Sequence, residues 1–149
     1  MSFWNFTSDD KSFSLQFPEH WVEYEDEANT YAFFNHHEWQ GNLRITHFYI
    51  QADFKSDTDK TNGYIDDELN DNPDAVIITL GEWKAVHYVR YNDDENSIIY
   101  YWVTGLHNNL FLISFTSEKH LLQLEKGTEA LLEVNQIIGS LNSFSSLTN

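Results

Sequence analysis

The chain has 149 residues, 41% hydrophobic and 16% aromatic, and its 24 acids against 8 Lys plus Arg give a formal charge of −16. That is one domain with enough apolar material for a core, and its charge argues against nucleic acid or anionic lipid as a ligand, because phosphate contacts need cations. The absence of cysteine excludes disulfides, thiolate catalysis and thiolate zinc sites together.

Strand patterns dominate in chain order. Phe3–Phe6 comes first and carries the Asn5-Phe-Thr sequon, which matters only in a glycosylating compartment. In Ser12–Phe17, Phe13, Leu15 and Phe17 alternate with Ser14 and Gln16, the period of a half-buried strand. Pro18 stops it, since proline donates no backbone hydrogen bond, and Trp21 follows as an apolar anchor turned back to the core. Tyr31–Asn35 and Asn42–Gln51 read as a hairpin around Gln40-Gly41-Asn42, with glycine where a positive φ is wanted. Thr61 to Asn70 reads as a short acidic helix, ended by Asn70-Asp71-Asn72-Pro73. Ala75–Leu80, Trp83–Tyr91, Ser97–Thr104 and Leu110–Thr116 then form an antiparallel meander, with polar turns at Asp93–Asn96 and His107–Asn109. A closing helix, capped by Thr116 or Ser117, is marked by Leu121, Leu124, Leu131, Val134, Ile138 and Leu141 at helical spacing. Glu125, Glu129 and Glu133 fall four apart on its more exposed face. The meander strands are apolar on both parities, so both faces of the sheet need a cover.

No stretch is long and apolar enough to cross a bilayer, and the first residues lack the basic start and apolar run of a signal peptide. The expectation is therefore a cytoplasmic protein without membrane insertion.

The layout resembles the PsbP-like fold, shared by the extrinsic PsbP protein of photosystem II, a Ran-binding nuclear import factor of yeast and many small bacterial proteins of unknown function. The resemblance is carried by Phe13–Phe17 with Pro18-x-x-Trp21, the Gly41–Gln51 strand, and the acidic helix ending near Asn70. Gly81-Glu82-Trp83 before the meander and the close on Ile137-Ile138-Gly139-Ser140-Leu141 also fit. It implies an α+β fold over residues 1–149 as one domain: an antiparallel β-sheet with helices packed on its faces, an α/β/α sandwich. It also implies adaptor, chaperone or assembly roles rather than catalysis, and carries over no functional residue.

Candidate chemistry is sparse. Asp57, Asp59, Thr61 and Glu68 match the oxygen positions of an EF-hand calcium loop, but Asn62 stands where its glycine should be and Gly63 comes one late. A solvated loop capping a short helix is the plainer reading. His36, His37 and His47 offer imidazoles, and Glu38 a carboxylate, near one hairpin, but neighbours on a strand point to opposite faces, so at most one of His36 and His37 joins His47. Lone histidines such as His47 and His87 read as core members with a satisfied hydrogen bond. There is no Gly-x-Ser-x-Gly elbow, no phosphate loop and no His-Glu-x-x-His, so no enzyme, metal or cofactor is expected.

The expected function is a non-enzymatic protein-binding or assembly domain. Its partner would be a protein, basic in the sharper version, as for an acidic immunity protein that blocks a basic toxin. The surface to look at is the acidic segment Asp53 to Asp74 beside exposed aromatics: Trp39, Asp57, Asp59, Tyr64, Asp66, Asp67 and Glu68. The competing reading is a ligand or catalytic pocket among the sheet aromatics Tyr88, Tyr100 and Trp102.

Overall fold

A computed structural model describes residues 2–50, 61–80, 83–106, 108–122 and 125–143. The acids Asp53, Asp57 and Asp59, the Gly81-Glu82 pair, His107 and Leu124 lie outside them.

Two antiparallel sheets share one core. β1 (Phe3–Thr7) and β2 (Phe13–Pro18) form a hairpin with Phe6 opposite Leu15, and β10 (Asn142–Ser143) pairs along the other edge of β2. The larger, seven-stranded sheet contains β3 (Trp21–Tyr24), β4 (Thr30–Asn35), β5 (Asn42–Tyr49), β6 (Val76–Leu80), β7 (Trp83–Asn92), β8 (Ser97–Leu106) and β9 (Asn109–Glu118). Its order is β3-β4-β5-β9-β8-β7-β6. The meander is thus β6 to β9, and the β4–β5 hairpin joins it by pairing β5 with β9.

Alternation decides what each face does. Phe33, Leu43, Ile45, Phe111, Ile113 and Phe115 point to one side and are buried. There they meet Phe6, Phe13, Leu15 and Phe17 of the small sheet and Ala130, Val134, Ile137 and Ile138 of α3 (Glu125–Gly139). Phe17 stacks on Phe33 at 4.2 Å, and Phe6 meets Phe33 edge-on at 5.1 Å. The opposite side carries α1 (Thr61–Asp71), packed over β7 and β8. The α+β architecture with helices on both faces is therefore present, with the small sheet sharing one covering layer with α3.

Three local expectations need correction. Trp21 is buried as an anchor, but it also opens β3, whose four residues pair with β4 and were too few and too acidic to stand out. Ser117 and Thr116 cap no helix: β9 runs on to Glu118, and the Ser117 hydroxyl donates to the Gln40 carbonyl. The helical segment begins instead at Lys119 with α2 (Lys119–Leu122), ahead of α3. Glu133 is half-buried rather than exposed, because His20 Nε2 lies 2.7 Å from its Oε2 and the Trp21 indole N–H donates to its Oε1 at 3.3 Å.

Candidate protein-binding groove

α1 is amphipathic through spacing. Ile65, Glu68, Leu69 and Asn72 recur on the side towards the sheet and are half-buried, while Asp66, Asp67, Asn70 and Asp71 are exposed. Its start is fixed by close approach. Thr61 is fully buried, and a Cβ added to Gly105 of β8 would stand 2.6 Å from the Thr61 Cβ. Its end is fixed by side chains. Asn72 Nδ2 donates to the Glu68 carbonyl at 2.8 Å, and the Arg90 guanidinium reaches Asn72 Oδ1 at 2.5 Å and both carboxylate oxygens of Asp74. Such side-chain caps satisfy carbonyls that a helix end leaves open.

Beside α1 the sheet is bare enough to leave a groove. Its wider part, about 580 Å3, is bounded by Tyr64 and Glu68 of α1 and by Phe48, Val103, Leu110 and Leu112 of the sheet. It continues as a second hollow of about 250 Å3 past Tyr88, Tyr101, Thr46 and Arg44, with Glu68 and Leu112 lining both. Tyr64 is 52% exposed, and Phe48 and Leu112 are also exposed, so the walls are apolar and open to water.

Several polar groups of the groove are already engaged. The Tyr88 hydroxyl donates to the Glu68 carboxylate, and burial together with that carboxylate pushes the Tyr88 pKa far up, so the phenol keeps its proton. Tyr88 stacks on Tyr101 at 5.0 Å and lies under the Arg90 guanidinium carbon at 4.7 Å. Arg44 forks onto Asp26, with Nε to Oδ2 at 2.6 Å and Nη2 to Oδ1 at 3.0 Å. The guanidinium, with help from the Glu27 amide, holds the Asp26 carboxyl below the usual carboxylate range. Both arginines of the chain are thus neutralised beside an acidic helix.

Of the residues singled out in the sequence, Tyr64 and Glu68 meet in this groove, and Asp66 and Asp67 form the exposed acidic flank of the same helix. Trp39 does not line it; it sits exposed in the β4–β5 loop, its indole N–H donating to Asn42 Oδ1 at 3.0 Å. Phe48 and Leu112 were missed. Their signal was an apolar side chain on the wrong parity of a strand whose other parity fills the core. The sheet itself divides the proposed aromatic pocket. Tyr88 faces α1, whereas Tyr100 and Trp102 lie on the opposite face, stacked with His87.

The histidines go elsewhere. His47 is buried, with Nε2 at 2.8 Å from Asn109 Oδ1 and Nδ1 at 3.3 Å from Ser12 Oγ, a satisfied core imidazole. His87 donates through Nδ1 to the Tyr101 carbonyl at 2.8 Å. His36 and His37 meet as tilted rings, centroids 4.4 Å apart, in the exposed loop after β4, away from His47. Among the described residues, no three His, Asp or Glu side chains are grouped to hold a metal ion. None of their helices is long and apolar enough to cross a membrane.

Over residues 1–144 the sequence matches the family described as a domain of unknown function, DUF3805. The chain belongs to that family. This DUF3805 domain is similar to a crystal structure from Bacteroides thetaiotaomicron VPI-5482 at 1.50 Å resolution, with 25% identity and a TM-score of 0.81 over 98% of its own length. It spans about half of that longer chain, 50%. It is also similar to the solution structure of cyanobacterial PsbP (CyanoP) from Synechocystis sp. PCC 6803, at 12% identity and TM-score 0.48, covering 96% of this chain and 93% of that one. The sheets and helices themselves establish the α+β architecture. No curated protein matches the sequence.

Proposed function

We propose that this DUF3805 domain is a non-enzymatic protein-binding domain, of adaptor, assembly or immunity type, and that it takes a basic, partly apolar segment of a partner protein along α1 and the adjoining groove. The observation that carries this reading is the juxtaposition on one face of an exposed acidic helix flank, Asp66, Asp67 and Asp71, with the apolar walls Phe48, Tyr64 and Leu112. The two arginines nearby are bound to Asp26 and Asp74 rather than to these acids. The charge of −16 would draw a basic partner in and repel an acidic one. The compartment we propose is the cytoplasm, as the sequence reading expects.

The test is capture from native lysate on the immobilised chain at about 0.05 M and about 0.5 M salt, ionic strengths that span a large change in screening length. Wild type should hold a basic protein at low salt and release it at high salt. Asp66→Asn combined with Asp67→Asn should lower retention at least about tenfold, as loss of roughly 1.4 kcal/mol implies, and Leu112→Ser should act in the same direction. Retention that is unchanged in both variants, or no retained protein at either salt, overturns the proposal.

A further inference from the structure

The seven-stranded sheet has two edges, and the sequence treats them differently. β3 is four residues long, contains Glu23 and runs straight into Glu25, Asp26 and Glu27, a short charged edge of the kind that deters pairing. β6 reads Val-Ile-Ile-Thr-Leu, without a charge or a proline. Val76 and Ile77, which point to opposite faces, are 53% and 59% exposed. Among the described residues, β6 pairs only with β7. On the Val76 side the apolar surface continues inward across half-buried His87 and Tyr100 to Tyr91, which is 65% exposed.

We infer that β6 pairs antiparallel with β6 of a second copy of this chain about a two-fold axis, joining the two sheets edge to edge. A two-fold contact must complement itself. An uncharged β-branched strand does so, whereas the same operation at β3 would set Glu23 and its acidic neighbours against themselves. Chains carrying −16 each repel, so contact between copies needs a neutral stretch, and β6 is one. A five-residue strand pair buries less than a standard interface of roughly 1,600 Å2, so the dissociation constant should be micromolar, on the order of 1–100 µM.

Sedimentation equilibrium of the full chain tests this at about 0.05 M and about 0.5 M salt. The expected result is a monomer–dimer equilibrium that does not weaken at the higher salt, the opposite trend to that of a basic partner on α1. Ile77→Lys should shift the equilibrium at least about a hundredfold towards monomer with an unchanged melting curve. Thr79→Lys, also exposed on this strand, should do the same, so that misfolding of one variant does not decide the matter. Asp66→Asn with Asp67→Asn should leave the dimer intact, which separates failure here from failure of the groove proposal. A monomer at all concentrations up to about 0.5 mM, well above the expected constant, overturns the inference. So does a dimer indifferent to both lysine variants. A monomer that captures a different protein through this edge also overturns it.

Discussion

At Gly41 the backbone adopts φ 155° and the chain passes so close to β9 that an added Cβ would sit 2.6 Å from the Phe115 ring and from the Thr116 carbonyl oxygen. The next-door carbonyl, of Gln40, takes the Ser117 hydroxyl, so this corner is fastened from both sides. Gly41→Ala should cost about 2–4 kcal/mol, from the backbone strain and the clash together, read as a lower urea midpoint with unchanged slope. Asp26 gives the pH prediction. Its folded pKa is depressed by Arg44, so its contribution is complete above the unfolded carboxylate value of about 3.9 and fades as pH falls through the lower folded value. The pair is at the surface, so the effect is about 0.5 kcal/mol. Urea midpoints followed from about pH 6 to about pH 2 should fall less steeply in Asp26→Asn than in wild type.

α1 depends on three fastenings: Thr61 under Gly105, Glu68 on Tyr88, and Asn72 with Asp74 on Arg90. Tyr88→Phe removes the middle one and leaves a half-buried carboxylate with only the distant Asn72 amide, 3.5 Å away, as donor, at about 1–3 kcal/mol. Hydrogen exchange should show α1 amides opening faster, while those of β8 and β9 keep their protection. The same helix shows how far local sequence reaches. Its existence and end were visible because Asn70 to Pro73 is a strong stop and the signal is local. The Phe13–Phe17 strand, with its clean alternation, was visible for the same reason. Ser117 was misread because a serine before an apolar helical pattern is a good cap, and only its distant partner Gln40 makes it a strand residue. The groove was half legible. Tyr64 and Glu68 announce themselves as an aromatic and an acid on a polar helix. Phe48 and Leu112 become wall residues only through the pairing of β5 with β9, strands separated by three others and a helix in sequence.

Across the molecule, tryptophan N–H groups tie the layers together. Trp83 donates to the Leu141 carbonyl at 2.6 Å, closing the end of α3 onto β7, and Trp4 donates to the Trp21 carbonyl at 2.9 Å, joining the two sheets. Trp83 is buried, so Trp83→Phe should cost about 2–3 kcal/mol from the orphaned carbonyl and lost packing. Because both sheets share one core, far-ultraviolet circular dichroism and tryptophan emission should report a single coincident unfolding transition in wild type and variant alike. Separate transitions for the two signals would mean that the small sheet unfolds on its own.

The pairing of β10 with β2 sets Asn142 beside Ser14, 128 positions apart along the chain. During synthesis β2 therefore leaves the ribosome long before its third strand, and before α3, whose side chains cover the same phenylalanines. At about 5–20 residues per second the interval is roughly 6 to 26 s, ample for a hairpin to form but not to be covered. Until then Phe13, Leu15 and Phe17 present bare rings and methyl groups to solvent or to whatever chaperone meets the nascent chain. A destabilising change in α3 would prolong that exposure, and its first symptom would be loss of yield rather than loss of binding.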